Sequence, residues 1–458
     1  MMNEPEIFFT DINKPTGDVF TSRIDKIITH KVWGFVIFFL ILLIFFQSVF
    51  FIASYPTQWI ETLFVFFSQW GAAHLPEGEL SDLLVNGILA GVSGIIVFIP
   101  QITLLFFFIA ILEDTGYMFR VSFIMNKMMH KLGLSGFSVI PLLSGIVCAV
   151  PAIISTRAIS NRKERIITMM IIPLISCSAR MPVYAMLIAL IIPDTNLFGF
   201  FNVQGAVLMS FYLVGFLAAF VVALIMKYLL KSEKRKYSVI ELPSYRFPRW
   251  KDIGLTVWNR VKSFLFSVRK VIVAVFVVLW FLSSHSPGNA FEKIEKKYSA
   301  TLSDTLTAVQ KREDIAAEKL EASYIGELGK LLEPIIKPLG FDWKIGIALI
   351  TSFAAREIFV GTMATIYSVG DINNTKSVRE KMLAEKNPET GKPRYNVAVG
   401  LSLIIFFVFA MQCISTFAVI YRETKKWKYP IIQFLYMSVL AYLGSFIVVV
   451  IALIPTIV

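Results

Sequence analysis

The sequence predicts an all-α polytopic membrane protein, with seven to eight spanning helices and broken or re-entrant segments in two repeats. Three observations predict it. Of 458 residues, 56% are hydrophobic and 17% charged, against about 25% charged in soluble chains. The apolar residues fall in blocks of roughly twenty, the length that crosses a bilayer as a helix. The basic residues cluster beside those blocks, so the net charge of +12 reads as cytoplasmic anchoring rather than nucleic-acid binding. The composition excludes disorder, coiled coil and a disulfide scaffold.

Residues 1–31 form a short cytoplasmic segment ending in Arg23, Lys26 and Lys31. The first span is Val32–Ala53, long and without a small-residue cleavage site, hence retained rather than a signal peptide. The second is Leu84–Leu112. No Lys or Arg occurs between Lys31 and Arg120, and the connection carries Glu61, Glu77, Glu79 and Asp82. The positive-inside rule therefore puts that connection outside and the N-terminus in the cytoplasm. The cluster Arg157, Arg162, Lys163 and Arg165 precedes the span Ile166–Ile192, and Val203–Met226 returns to Lys227, Lys231, Lys234, Arg235 and Lys236. Residues 231–270 mix Trp and Phe with Lys and Arg and read as a cytoplasmic amphipathic linker feeding the span Val271–Ser284. Residues 285–344 are polar, charge-mixed and helix-prone, an extramembrane insertion on the external side. The second half, 345–458, holds Ile345–Tyr367, Val397–Ile420 and Ile431–Ile454. If Ile345–Tyr367 crosses, there are eight spans and the basic 421–429 loop is external. If it is a hairpin, there are seven and that loop is cytoplasmic.

Helix breakers sit inside several apolar blocks. Pro141 precedes Ser144-Gly-Ile-Val-Cys-Ala-Val-Pro151; Pro173 and Ser176-Cys-Ser-Ala-Arg-Met-Pro182 interrupt Ile166–Ile192; Gly91, Gly94 and Pro100 interrupt the second span. Non-helical backbone at membrane depth survives only when buried in protein or lining a wet cavity, and paired broken helices in two halves point to a transporter's central site. The halves correspond weakly: Val139–Ile159 is similar to Ile345–Tyr367, and Ser176–Tyr184 to Ala410–Val419, in inverted orientation.

The candidate metal-ligating groups are Cys148, Cys177 and Cys413, each near a break, with Glu113, Asp114 and Glu357. Thiolates suit Fe(II), Zn and Cu(I) rather than Mg or Ca. A lone Cys in an apolar helix is ordinarily a small buried hydrophobe; three of three at breaks favour a lined pathway. Ionisable groups at such depth cost several kcal/mol, of order 3 for Arg or Asp, so Arg180 and Arg356 either set the field of a pathway or pair structurally. Gln101, Ser144, Ser176, Ser178 and Gln412 add neutral pathway or helix-bridging groups. The four His fall at span ends or in loops. No phosphate loop, H-E-x-x-H, G-x-S-x-G or C-x-x-C occurs, so no enzyme is expected and no nucleotide is bound by these motifs.

The strings Gly94-Ile-Ile-Val-Phe-Ile-Pro-Gln101, Ile111-Leu-Glu-Asp-Thr-Gly-Tyr-Met118, Gly133-Leu-Ser-Gly-Phe-Ser-Val-Ile-Pro141, Gly145–Ala152, Ser176–Tyr184, Ala355–Thr362 and Gln412-Cys-Ile-Ser-Thr occur in this order. Together they resemble the transmembrane part of the ferrous iron transport protein B (FeoB) family, from about Arg23 to the last span. The resemblance implies two Gate motifs, about 87–190 and about 345–420, lining an Fe(II) path with the three cysteines. It also implies a bacterial inner (plasma) membrane, Fe(II) as transported ion, a GTP-binding G domain on another chain or removed, and a small FeoA-like partner. A homo-oligomer is compatible with it. Gate-type segments also resemble nucleoside-recognition proteins and spore-maturation-like scaffolds, so another solute, another divalent metal or a non-transporting scaffold stand as alternatives.

Overall fold

In the computed structural model the described residues are 25–28, 30, 33–76, 78–89, 92–93, 96–97, 99–192, 196–197, 201–229, 245–300, 308–356, 358–367, 380–383, 385, 394–411 and 413–453. They are helical almost throughout; among them the only sheet is a pair of two-residue strands, Asn196–Leu197 and Phe201–Asn202. Helix α1 (Trp33–His74) has 42 residues and carries Pro56 inside. A short turn (Glu79–Asp82) and a π-helical stretch (Leu83–Leu89) follow. Helix α2 (Ile99–Asp114) has Pro100 as its second residue, so this proline starts the helix rather than interrupting it. Helix α3 (Tyr117–Lys131) turns away from α2 by 84° at Gly116, whose φ of 81° suits glycine.

Two short helices, α4 (Val139–Val147) and α5 (Ala149–Ser155), meet at Cys148, which is extended (φ −154°, ψ 130°). Helix α6 (Arg162–Ile171), capped by Asn161, runs into a 3₁₀ turn at Ile172–Leu174, and α7 (Met181–Ile191) resumes after the break at 175–180. Helix α8 (Val203–Leu229) returns. Helix α9 (Trp250–Ser284) is one unbroken helix of 35 residues. The expected surface linker and separate span are thus continuous where described: Asp114 holds its start through Arg249, and Asp82 holds its end through Trp280 and Ser284. The 231–244 part of that linker lies outside the described residues.

The insertion contains α10 (Ala290–Ala300) and α11 (Ala308–Ala322), cross-braced by Lys297–Glu318 and Lys319–Glu295, then α12 (Tyr324–Ile336). The second half has α13 (Trp343–Ser352), α14 (Ile358–Ile366), α15 (Val397–Phe409), α16 (Ile414–Thr424) and α17 (Lys428–Leu453). By length and apolarity four described stretches can each cross a membrane: 162–191, 203–229, 397–424 and 428–452. The buried core has one centre among α7, α13, α14 and α15, around Tyr184, Phe359 and Phe407, and another among α2, α5, α6, α9 and α16, around Ile153, Met170, Val257 and Ile420.

Candidate metal pathway at the helix breaks

Helices α4 and α5 form a hairpin whose two ends share one base. Its entry carries Ser135 and Ser138; Ser135 N–H donates to Glu164 (3.2 Å), and Thr168 Oγ1 donates to Ser138 Oγ (3.2 Å). Glu164 and Thr168 belong to α6, which follows the hairpin's exit. Helices α13 and α14 form a second hairpin, closed by a polar network at its own base. Asp342 at its entry accepts from the Tyr395 hydroxyl (3.0 Å), and the Tyr367 hydroxyl at its exit lies 2.9 Å from that of Tyr395 and hydrogen-bonds Glu385. Lys344 pairs with Glu385 (2.9 Å), and Arg394 with Asp342 (3.3 Å). Each arm has seven to ten residues. Arms of that length reach about 10–15 Å, at most half of a ~30 Å hydrocarbon core.

The two broken helices run in opposite directions between these bases. The first, α6–α7, starts beside the base of the first hairpin, and Ile191 at its far end packs on Gly400 near the start of α15. The second, α15–α16, starts beside Tyr395 and ends at Glu423, where Arg157 and Arg165 both donate at 2.6 Å. Each hairpin tip is stitched to a helix break. Pro151 has no N–H, so the Val147 carbonyl four residues back is left open; Ser178 Oγ donates to it at 2.8 Å. In the other half, Ile414 N–H donates to the Phe353 carbonyl at 3.0 Å. Pro173 likewise vacates the Met169 carbonyl, and Gln433 Nε2 of α17 reaches it (3.4 Å) and that of Met170 (2.9 Å), which also accepts from Tyr436. Buried backbone carbonyls need partners, and α17 supplies them from the other end of the chain.

The three cysteines all lie at interruptions of helical backbone. Cys148 is the hairpin tip, while Cys177 and Cys413 immediately precede the helical turns that resume after the two breaks. All three are partly exposed and none is in a disulfide. Helices α5 and α16, which begin after Cys148 and Cys413, pack together. Ser178 ties the first two breaks as described; Ser176 Oγ lies 3.2 Å from the Tyr184 hydroxyl, and Ser144 donates within its own helix to Ile140. Gln101 is half-buried in the first turn of α2. Glu357 and Gln412 lie outside the described residues.

The acidic pair at the end of α2, expected to capture a cation, also meets the arginines of α9. Glu113 accepts from Arg260 (2.7 Å) and Asp114 from the Arg249 N–H (2.8 Å), so both carboxylates dock α9. The reason is positional: they end a span, where the arginines of an amphipathic helix also lie. Among the described residues no group of three or more His, Cys, Asp or Glu is set to hold a metal ion. Arg180 and Arg356 are both buried and donate to backbone carbonyls; neither forms an ion pair among the described residues. Sequence reasoning missed Gln433, Tyr436 and the Asp342–Tyr395–Tyr367–Glu385 network. The vacated carbonyls of Pro151 and Pro173 were the available signal that partners had to exist.

Known proteins carry the same segments. The Gate family, described as nucleoside recognition, matches residues 95–191 and 265–427, and the ferrous iron transport protein B C terminus matches 208–260. The Fe(2+) transporter FeoB of Leptospira biflexa is 44% identical over 93% of this chain and 59% of its own length. An Fe(2+) transport protein A/Fe(2+) transporter FeoB fusion protein of Porphyromonas gingivalis is 36% identical over 93% of the chain and 51% of its own length. The Helicobacter pylori Fe(2+) transporter FeoB is 31% identical, with 93% and 66% covered. The chain thus spans less than two thirds of these relatives. No solved structure matches it. With both hairpins and both broken helices inside a match that covers more than half of its length, the chain belongs to the Gate family.

Proposed function

We propose that this chain is the membrane body of a FeoB-like system and carries Fe(II) across a bacterial inner membrane. The observation that carries the reading is the placement of all three cysteines at backbone breaks where short hairpins meet discontinuous helices. Discontinuous helices put unpaired backbone and polar groups at the depth where transporters bind their ions, and thiolates select soft or borderline metals over Mg and Ca. The relatives named Fe(2+) transporter FeoB support the cargo, and the fused relative supports an FeoA-like partner. The family resemblance implies a GTP-binding domain acting with this body, and the greater length of the relatives accommodates one. In this reading Cys148, Cys177 and Cys413 line the path, with Glu357 as a further metal-ligating group and Ser144, Ser176, Ser178, Gln101 and Gln412 as neutral groups. Glu113 and Asp114 also hold α9 and stand as further proposed metal-ligating groups.

The same reading has seven full spans and two re-entrant hairpins that open to opposite faces. Glu423 between Arg157 and Arg165 supports a cytoplasmic 421–429 loop, and the shared base of α13 and α14 supports the hairpin over the crossing. The N-terminus is then cytoplasmic and the 285–344 insertion external.

Proteoliposomes holding the full chain, with and without a separately supplied GTPase domain, test the cargo. Cys148→Ser, Cys177→Ser and Cys413→Ser should each lower Fe(II) flux by about tenfold or more, as loss of metal-site groups generally does. Wild-type flux in all three would remove the thiol pathway. Flux of nucleosides but not Fe(II) would replace the cargo with the one the Gate description names.

A further inference from the structure

Arg180 and Arg356 do the same thing from unrelated chain positions. Arg180 Nη2 donates to the Pro173 carbonyl (2.9 Å), and its Nη1 to Ser176 Oγ (3.0 Å) and the Leu174 carbonyl (3.5 Å). Arg356 Nη2 donates to the Ala410 carbonyl (3.1 Å) and its Nη1 to that of Phe407 (3.4 Å). The first arginine follows the half-helix it caps, α6 with its 3₁₀ turn. The second comes from the tip of the other half's hairpin and caps α15, 51 to 54 residues away. A cation placed twice at the carbonyl end of an inward half-helix, by two different routes, marks a requirement of the site rather than an accident of one loop.

The chemistry of such an end explains the requirement. The last carbonyls of a helix are unpaired and carry roughly −0.5 charge. Each half-helix runs inward about 20 Å from its face, so its carbonyl end lies near the middle of a ~30 Å core. In transporters with discontinuous helices, such carbonyl ends are where coupling cations such as Na⁺ bind. Here planar guanidinium groups, which are always charged, already sit on them, and neither arginine has a carboxylate ion pair among the described residues. We infer that Arg180 and Arg356 fill two monovalent-cation sites from within the chain. Passage through this body therefore takes no coupling Na⁺ or K⁺, and each vacated site binds a small planar cation from solution.

The coupling consequence rests on the transport reading; the sites themselves do not. The test uses the purified full chain, with thermal midpoints of wild type, Arg180→Ala and Arg356→Ala in millimolar guanidinium, sodium, potassium or choline chloride at fixed ionic strength. Each variant should lose stability in choline and regain at least half of the loss in guanidinium, saturably, while wild type stays unchanged. A variant that responds to none of the small cations overturns its site. If a variant is recovered folded only when purified in guanidinium, the site stands; if no cation recovers it, the site falls. In proteoliposomes wild-type Fe(II) flux should be the same within twofold in sodium, potassium and choline. A requirement for sodium or potassium overturns the coupling statement. Absence of flux under every condition would instead count against the transport reading, with the stability result standing apart.

Discussion

Asp342 concentrates the physics of a single residue. It is 2% exposed, caps α13 by accepting from the Ile345 N–H at 2.9 Å, and also accepts from Tyr395 and Arg394. Burial pushes its carboxyl up from the usual range, opposed by the Ile345 N–H, Arg394 and Tyr395 and reinforced by the Glu385 charge. A carboxyl raised in the folded state binds its proton more readily there than in the unfolded chain. Its unfavourable ionisation is therefore fully felt above the raised value and is relieved as pH falls through that value toward the ordinary carboxylate range. The network around it also holds Lys344, Glu385, Glu333 and Tyr367. Wild type should gain stability on mild acidification, and Asp342→Asn, which keeps a capping oxygen, should flatten that slope. Asp342→Ala loses that slope and the cap as well, and should lie about 1 kcal/mol below Asp342→Asn at every pH. Thermal midpoints across the mildly acid range read both; equal slopes for wild type and Asp342→Asn would refute the assignment. At this scale the sequence was only partly legible. Arg180 and Arg356 stood out because buried charge is rare in an apolar block, but their acceptors are carbonyls, which no residue type announces.

At the scale of elements, close packing at the hairpin base sets a sharper test. A Cβ on Gly136, beside Ser135 and Ser138, would stand 2.0 Å from the Ser122 carbonyl oxygen, whereas one on Gly254 in α9 meets nothing within 4 Å. Gly136→Ala must push backbone apart, and overpacking of this kind costs about 1–3 kcal/mol. Gly254→Ala should stabilise by about 0.5–1 kcal/mol, because alanine loses less backbone entropy in a helix. Opposite shifts in thermal midpoint are expected, and equal shifts would mean the hairpin base is looser than its geometry. The breaks themselves were readable, since Pro151, Pro173 and Pro182 each remove a backbone donor at a fixed place. Their stitching was not: Gln433 and Tyr436 lie 263 and 266 residues from Met170, a separation that periodicity does not reach. The unbroken α9 was missed for a related reason. Its arginines and tryptophans resemble a surface helix until Glu113 and Asp114 are seen to face them.

For the whole molecule, the proposed arrangement sets the two hairpins and two broken helices as inverted halves, and this predicts sidedness. Charge alone leaves two loops competing for the cytoplasm, 371–394 with six bases and 421–429 with four; Glu423, 3% exposed and shared by Arg157 and Arg165, ties the 421–429 loop to the basic face. The shared base of α13 and α14 puts residues 342–344, 367 and 385 together, so the proposed arrangement predicts the insertion and the 380–385 segment on the opposite face from that loop. The labelling test starts from a chain whose three native cysteines are replaced by serine. Lys293→Cys, Glu380→Cys and Lys426→Cys each add one thiol at an exposed position. A membrane-impermeant maleimide applied to intact spheroplasts should label the first two, and should reach the third only after permeabilisation. Labelling of Lys293→Cys and Glu380→Cys from opposite sides would make α13–α14 a crossing. It would then move the 421–429 loop outside against its four bases, and the inverted arrangement of the halves would fall with it.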